Sequence, residues 1–334
     1  TYGEGEPPTN ARKFPAIFST IKQPNSIDFS VIGFGSLDYP DYCKFAIDID
    51  KQIAGALDFN RQLPLFKINK AAFELWMIQF GNQVGFNIPI ERPVVNKKKY
   101  KKVDFEVLER TELNIDDTFL LKLQPKTNIE FTSGDLLAVF PNGDETVRQY
   151  SIARIEDDIL LSIKKHELGR GSNFLFGLKV GETIRAAIDS NEHFHLPKNE
   201  KNVILISNGT GIAPFLGMIS KNTTQNISLF WGGRKKASMD VYNSILEKNS
   251  LNYKNIKIFS TFSREGEKQY VQDVIKEQKD LVLQTINTGG TIMICGSLAM
   301  QHDVLDVFEN MLQDNELITF EAFEKSDQLK TDCY

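Results

Sequence analysis

Four short stretches of this 334-residue sequence carry residue types suited to holding phosphate and flat rings. In NVILISNGTGIAPFLGMI an apolar run (Asn202 to Ser207) feeds directly into a turn where Gly209 and Gly211 let backbone N–H groups approach an anion, and Pro214 suits the first turn of the helix that follows. The positive end of that helix would face the anion, so a pyrophosphate site is expected, although an ordinary strand-to-helix turn fits the same glycines taken alone. Further on, STFSREGEKQYVQ (Ser260 to Gln272) sets Ser263, Arg264, Lys268 and Tyr270 beyond another apolar run. A guanidinium fork, an ammonium and a hydroxyl suit a ribose 2'-phosphate, with Tyr270 able to cover adenine, which favours NADP over NAD. A charged turn is the plain alternative for that segment in isolation.

The other two stretches lie earlier. RQYSIAR offers Arg148, Tyr150 and Ser151, and strand alternation sends Arg148 and Tyr150 to one face, where a cation and an aromatic could hold a phosphate and stack on a ring. ELGRGSNFL (Glu167 to Leu175) is a glycine-punctuated turn, with Gly169 and Gly171 ahead of Ser172, which is expected to open a helix and bind an anion. Two phosphate-binding elements in one small domain imply a pyrophosphate-containing cofactor.

The surrounding elements give these residues their places. Residues 1–88 read as partial α/β structure: DFSVIGFG (Asp28 to Gly35) and LPLFKI (Leu63 to Ile68) as strands, YCKFAIDIDKQIAGAL (Tyr42 to Leu57) and AAFELWMIQFGNQV (Ala71 to Val84) as helices. Residues 89–102 contain prolines and a lysine cluster and read as a linker, for which a solvated segment is the plainer reading. Residues 103–198 carry closely spaced β-runs, expected to form a small antiparallel barrel with one short helix at Asn173 to Leu178. Residues 199–334 alternate strands and helices as a doubly wound parallel sheet does, which puts both dinucleotide stretches at its carboxyl edge.

Bulk composition limits the partners. The 39 basic and 44 acidic residues give a net charge of -5, which offers no general attraction for nucleic acid. Cys43, Cys295 and Cys333 lie far apart with no CxxC pair, so neither a disulfide framework nor a metal site is expected, and a reducing, cytoplasmic setting fits. No apolar run approaches the roughly 20 residues that span a bilayer. The first residue, Thr1, is not methionine, so an upstream segment is expected, and with it the chance of a membrane tether facing the cytoplasm.

Taken together, RQYS, GRGSNFL, GTGIAPF, FSREGEKQYVQ, ICGSLAMQHDV and the terminal TDCY have the order and spacing of ferredoxin-NADP reductase-like proteins. The resemblance covers residues 103–334 and, within that family, points to the diflavin reductases, such as the sulfite reductase flavoprotein subunit and the reductase domain of nitric oxide synthase. It implies an NADPH-dependent oxidoreductase in which FAD takes a hydride and electrons leave singly, through FMN in the intact parent, to a downstream redox protein or domain. FAD is then held by Arg148, Tyr150, Ser151, Gly169, Gly171, Ser172 and Tyr334. NADP is held by Gly209, Thr210, Gly211, Ser263, Arg264, Lys268, Tyr270 and Gln272. Ser151, Cys295, Asp332 and Tyr334 match the family's catalytic positions, with the terminal aromatic covering the flavin until nicotinamide displaces it. Seen alone, Cys295 would be an ordinary core residue and Asp332 a solvated one.

The same resemblance reads TYGEGEPPTN (Thr1 to Asn10) and VIGFGSLDYPDYCKFA as the two loops of a flavodoxin domain that lie against FMN, which assigns Tyr2, Gly3, Gly5, Gly33, Gly35 and Tyr39 to that ligand. The family's first strand and phosphate loop are absent from the sequence, so this fragment is not expected to hold FMN stably, whereas its parent is. The helical connecting domain common in diflavin reductases is also missing: Phe131 to Ser151 leaves room only for a short turn. Gln149, Ala153, Arg154 and Cys333 depart from the usual family spelling. Two further readings stay open: an FAD-only reductase serving a separate ferredoxin or flavodoxin, and, outside enzymes, a non-catalytic module that senses dinucleotide.

Overall fold

The computed structural model describes residues 7, 11, 13–21, 27–35, 41–56, 59–63, 65–68, 73–85, 99–141, 146–221, 224–252, 255–313 and 315–334. The chain divides into two compact units, residues 1–98 and 99–334.

In the first unit, α1 (Phe14–Ser19) precedes β1 (Ile27–Phe29) and β2 (Ile32–Phe34), then come α2 (Lys44–Ala54), β3 (Phe59–Arg61), β4 (Phe66–Ile68) and α3 (Phe73–Val84). The single strand expected over Asp28 to Gly35 is therefore two, and they separate: β1 pairs in parallel with β3, and β2 with β4. The amphipathic pattern of α2 buries Ala46, Ile49 and Ile53.

The second unit begins with an antiparallel sheet of β5 (Val103–Arg110), β6 (Thr118–Pro125), β7 (Leu136–Val139), β8 (Arg148–Ser151), β9 (Ala153–Ile155), β10 (Asp158–Lys164) and β11 (Thr183–Asp189). Its order is β8-β7-β11-β5-β6-β10-β9. The two outermost strands are neighbours in the chain, joined only by the buried Ile152, so the sheet must curl until its edges meet, as a barrel does. A fully buried core of Phe105, Leu121, Leu123, Leu137, Ile159 and Leu161 fills it. Helix α4 (Arg170–Gly177) lies between β10 and β11. No domain intervenes between β7 and β8, which pair directly as a hairpin.

The chain then forms β12 (Asn202–Asn208), α5 (Ala213–Lys221), β13 (Asn226–Gly233), α6 (Asp240–Asn252), β14 (Ile256–Phe262), α7 (Val271–Glu277), α8 (Lys279–Asn287), β15 (Thr291–Gly296), α9 (Leu298–Leu312), α10 (Phe320–Glu324) and β16 (Leu329–Cys333). These strands make a parallel sheet in the order β14-β13-β12-β15-β16. The order reverses between β12 and β15, which creates the crevice at which ligands bind in such sheets. Both faces are covered, because near-continuous apolar strands such as VILI need partners on each side. One of the two cores includes Leu120, Ala153 and Leu160 of the barrel, so barrel and sheet share buried apolar contacts. No described helix is long and apolar enough to cross a membrane.

Candidate functional site

The barrel contributes its first site residues through β8. Register with β7 places Arg148 opposite Val139 and Tyr150 opposite Leu137, two positions apart and thus on one face. That face meets α4 at Gly171: a Cβ there would run into the Tyr150 hydroxyl and lie 3.1 Å from the Arg148 stem. The glycine thus lets the first turn of a helix rest directly on the cation and the aromatic. Helix α4 starts earlier than expected, at Arg170, and Gly169 rather than Ser172 occupies its cap. The Ser172 hydroxyl instead donates to the Gly169 carbonyl (3.2 Å) and accepts from the His166 N–H (3.1 Å), so it pins the turn. A local motif could signal a helix start here, but which residue caps it depends on where the turn closes.

Ser151 sits one residue beyond, on the opposite face, and reaches across to the last strand. Its hydroxyl donates to Asp332 Oδ2 at 2.6 Å, although 181 positions separate the two. Asp332 is paired in register with Cys295, so the three predicted residues gather where barrel and sheet meet. Burial raises the Asp332 pKa, and the Ser151 hydrogen bond offsets part of that rise. Cys295 is fully buried; burial above all, then the Asp332 and Cys333 charges, raises its thiol well above the ordinary value, while Ser151 lowers it. The thiol is neutral at physiological pH and so is not a ready nucleophile. Burial likewise pushes Cys333 up to about 12, with Asp332 adding to it.

Tyr334 completes the group. Its N–H donates to the Gly296 carbonyl at 3.0 Å, and its hydroxyl lies 3.4 Å from Thr210 Oγ1. The residue is 63% exposed, so its ring has open space beside it.

On the sheet side, β12 runs into a 3-10 turn over Gly209–Ile212 and then α5, with Pro214 at the second position of the helix. The Trp231 indole N–H donates to the Gly209 carbonyl at 3.0 Å and fixes that turn. Gly209 has φ +51°, and nothing lies within 4 Å of where its Cβ would stand. A side chain at Gly211, by contrast, would collide with the Cys295 carbonyl. The turn therefore faces open space with one glycine and rests on the Cys295 strand with the other, a cradle that only backbone can line.

The second dinucleotide stretch is of another kind. Ser263 donates to the Gly233 carbonyl from both its N–H (3.0 Å) and its hydroxyl (3.3 Å). Arg264 is exposed, and Lys268 Nζ stands 5.2 Å from the centroid of the Tyr270 ring. Arg264, Lys235, Lys236 and Ile115 line a cleft of about 750 Å³. Gln272 turns away to donate to Asp303 on α9 at 3.1 Å.

Two residues at the carboxyl ends of these strands escape sequence reading. Arg234, whose carbonyl accepts the Arg264 N–H at 2.8 Å, follows β13 and could have been found from its place after the strand end. Asn208, the last residue of β12, carried no signal because its partner lies 89 positions away. Of the residues assigned to FMN, Gly33 and Gly35 pack near Cys43, while Tyr2, Gly3, Gly5 and Tyr39 lie outside the described residues.

The family described as oxidoreductase NAD-binding domain matches residues 205–306, and the flavodoxin family matches residues 1–75. A nitric oxide synthase-like protein of Bombyx mori is 35% identical over 45% of this chain and 15% of its own length. A sulfite reductase [NADPH] flavoprotein alpha-component of Thiocapsa roseopersicina is 22% identical over 92% of this chain and 73% of its own. The chain spans 15 to 28% of the length of the first curated relatives it matches. Among solved structures, ferredoxin-NADP+ reductase from Plasmodium falciparum superposes with a TM-score of 0.60 at 22% identity, covering 72% of this chain and 99% of that one.

Proposed function

We propose that the chain, which has the fold of a ferredoxin-NADP+ reductase and is similar to diflavin reductases, takes a hydride from NADPH onto FAD and passes electrons on singly, through FMN in the intact parent, to a redox protein or domain. We divide it accordingly into a partial FMN domain (1–88), a linker (89–102), an FAD barrel (103–198) and an NADP domain (199–334). FAD, when bound, supplies a ring that accepts two electrons together and releases them one at a time.

The residues fit that group. Arg148 and the first turn of α4 meet on one face of the barrel and provide a guanidinium and backbone N–H groups for its phosphates. Tyr150 and Tyr334 offer flat surfaces for its ring. On the sheet side, the Gly209–Gly211 turn takes the NADPH pyrophosphate, and Arg264, Lys268 and Tyr270 take the adenosine 2'-phosphate and base. A ferredoxin-NADP+ reductase from Plasmodium falciparum is known with 2'P-AMP, which supports the same preference here.

The observation that carries the reading is the Ser151–Asp332 hydrogen bond, with Cys295 beside it. A hydroxyl from the FAD barrel and a carboxylate from the NADP sheet converge at the point where the two rings must meet. Asp332 puts negative charge where the nicotinamide becomes cationic as hydride leaves, and Ser151 holds that carboxylate. Cys295, uncharged and immovable in its strand, limits how deep the nicotinamide can lie, which is orientation and not chemistry.

The test is anaerobic mixing of the FAD-loaded chain with NADPH. Bleaching of the flavin band, faster with NADPH than with NADH, is expected; a band that persists would leave only a dinucleotide-sensing role. The FAD-only alternative draws support from a ferredoxin-NADP+ reductase that is covered over 99% of its own length by 72% of this chain. Flavin extracted from the intact parent separates the two: equal FAD and FMN against FAD alone.

A further inference from the structure

The crevice between β12 and β15 is bridged by a pair of hydrogen bonds that the catalytic group does not use. The Asn208 side-chain carbonyl accepts the Ser297 N–H at 2.9 Å, and its amide donates to Ser297 Oγ at 3.0 Å. Ser297 is the N-cap of α9 and also accepts the Met300 N–H at 3.3 Å, so the bridge is anchored to a helix 15 residues long. It can form only because residue 296 is glycine with φ +147°: a Cβ there would strike Asn208 Oδ1.

The bridge stands between the parts that touch dinucleotide in the reading above. Asn208 is followed at once by the Gly209–Gly211 turn. Ser297 follows Cys295 and Gly296, and the Gly296 carbonyl holds the Tyr334 N–H at 3.0 Å. One amide side chain thus ties the pyrophosphate turn to the strand end bearing Cys295 and, through Gly296, to the terminal aromatic. Arg264 and Lys268, at the far edge of the sheet beyond β13, have no share in it.

We propose that Asn208 is a positioning residue that, through Ser297, sets the spacing between the two turns lining the crevice and so holds the pyrophosphate and nicotinamide half of NADPH without acting on the adenosine 2'-phosphate half. The proposal rests on the NADPH reading. It differs from a general stabilising role because it divides one ligand in two.

The test titrates the FAD-loaded chain calorimetrically with NADP+ and, separately, with 2'-phospho-AMP, which carries only the adenosine half. Asn208→Ala is expected to weaken NADP+ about tenfold and 2'-phospho-AMP less than about twofold. Ser297→Ala, which keeps the backbone N–H of the bridge, is expected to weaken NADP+ by a smaller factor, and adding it to Asn208→Ala to change little more. It also serves as the probe if Asn208→Ala fails to retain FAD. Equal weakening of both ligands, no weakening of either, or multiplicative losses in the double variant would overturn the bridge while leaving NADPH as substrate. A wild-type chain that binds neither ligand would instead overturn the NADPH reading and the bridge's role with it.

Discussion

On the proposed function, the seam between barrel and sheet and the outer edge of the sheet share one task, holding parts of one dinucleotide, and they are built for it by opposite means. At the seam, Ser151, Cys295 and Asp332 come from three separate strands and are held by buried register, with a 2.6 Å hydrogen bond linking two of them. At the outer edge, Ser263, Arg264, Lys268 and Tyr270 come from one continuous segment, and Arg264, Lys268 and Tyr270 are exposed. The seam is preorganised, so on that proposal its effect is on the rate of the chemical step. The edge, on the same reading, relies on exposed cations, so its effect is on binding and is screened by salt.

The contrast is open to attack from both sides. Asp332→Asn strikes the seam: the hydride-transfer rate in single-turnover mixing is expected to fall about 10²-fold to 10³-fold, with little change in NADPH affinity. A fall in affinity at unchanged rate would reverse the roles of the two regions. Arg264→Ala combined with Lys268→Ala strikes the edge. It is expected to lower kcat/KM for NADPH about 10²-fold, leave NADH nearly unchanged, and remove the salt dependence of the NADPH KM; an unchanged coenzyme ratio in steady-state kinetics would refute the assignment.

Tyr334→Ala sharpens the comparison, since this ring belongs to the seam yet is 63% exposed. Stacking is worth about 1 kcal/mol beyond burial, so its loss is expected to change the NADPH-to-NADH ratio by only about fivefold, in favour of NADH. The smallest effect concerns stability. Burial raises the Asp332 pKa, so the folded state binds that proton more tightly than the unfolded chain does. The resulting stabilisation is complete below the ordinary carboxylate value and is lost as pH rises through the raised one. Asp332→Asn carries no such penalty, and its Tm relative to wild type is expected to rise by about 2–4 °C between pH 3.5 and pH 7. A difference in Tm that is flat across this range would show that the carboxyl is not desolvated at the seam.

The edge is legible in the sequence because its residues are neighbours in the chain, and so are the glycine turn after β12 and the β8 face. Gly209, Gly211 and Pro214 announced a strand-turn-helix, and the alternation of Arg148 and Tyr150 placed both on one face. The cap of α4 is Gly169 and not Ser172, because a hydroxyl at a helix start bonds whichever backbone group the turn brings near. The strand expected over Asp28 to Gly35 divided between two pairings, because alternation says that a segment is extended but not which neighbour it joins.

The sequence by itself determined the order of domains, the periodicity of their strands and helices, and the glycine turns where backbone can meet phosphate. All of these follow from residues within a few positions of one another. Tertiary structure alone decided that Ser151 would meet Asp332, that Asn208 would meet Ser297, and that RQYSIAR would break at Ile152 to close the barrel. Such contacts depend on strand register and on two cores packing at once, and no local pattern of side chains encodes a distance across them.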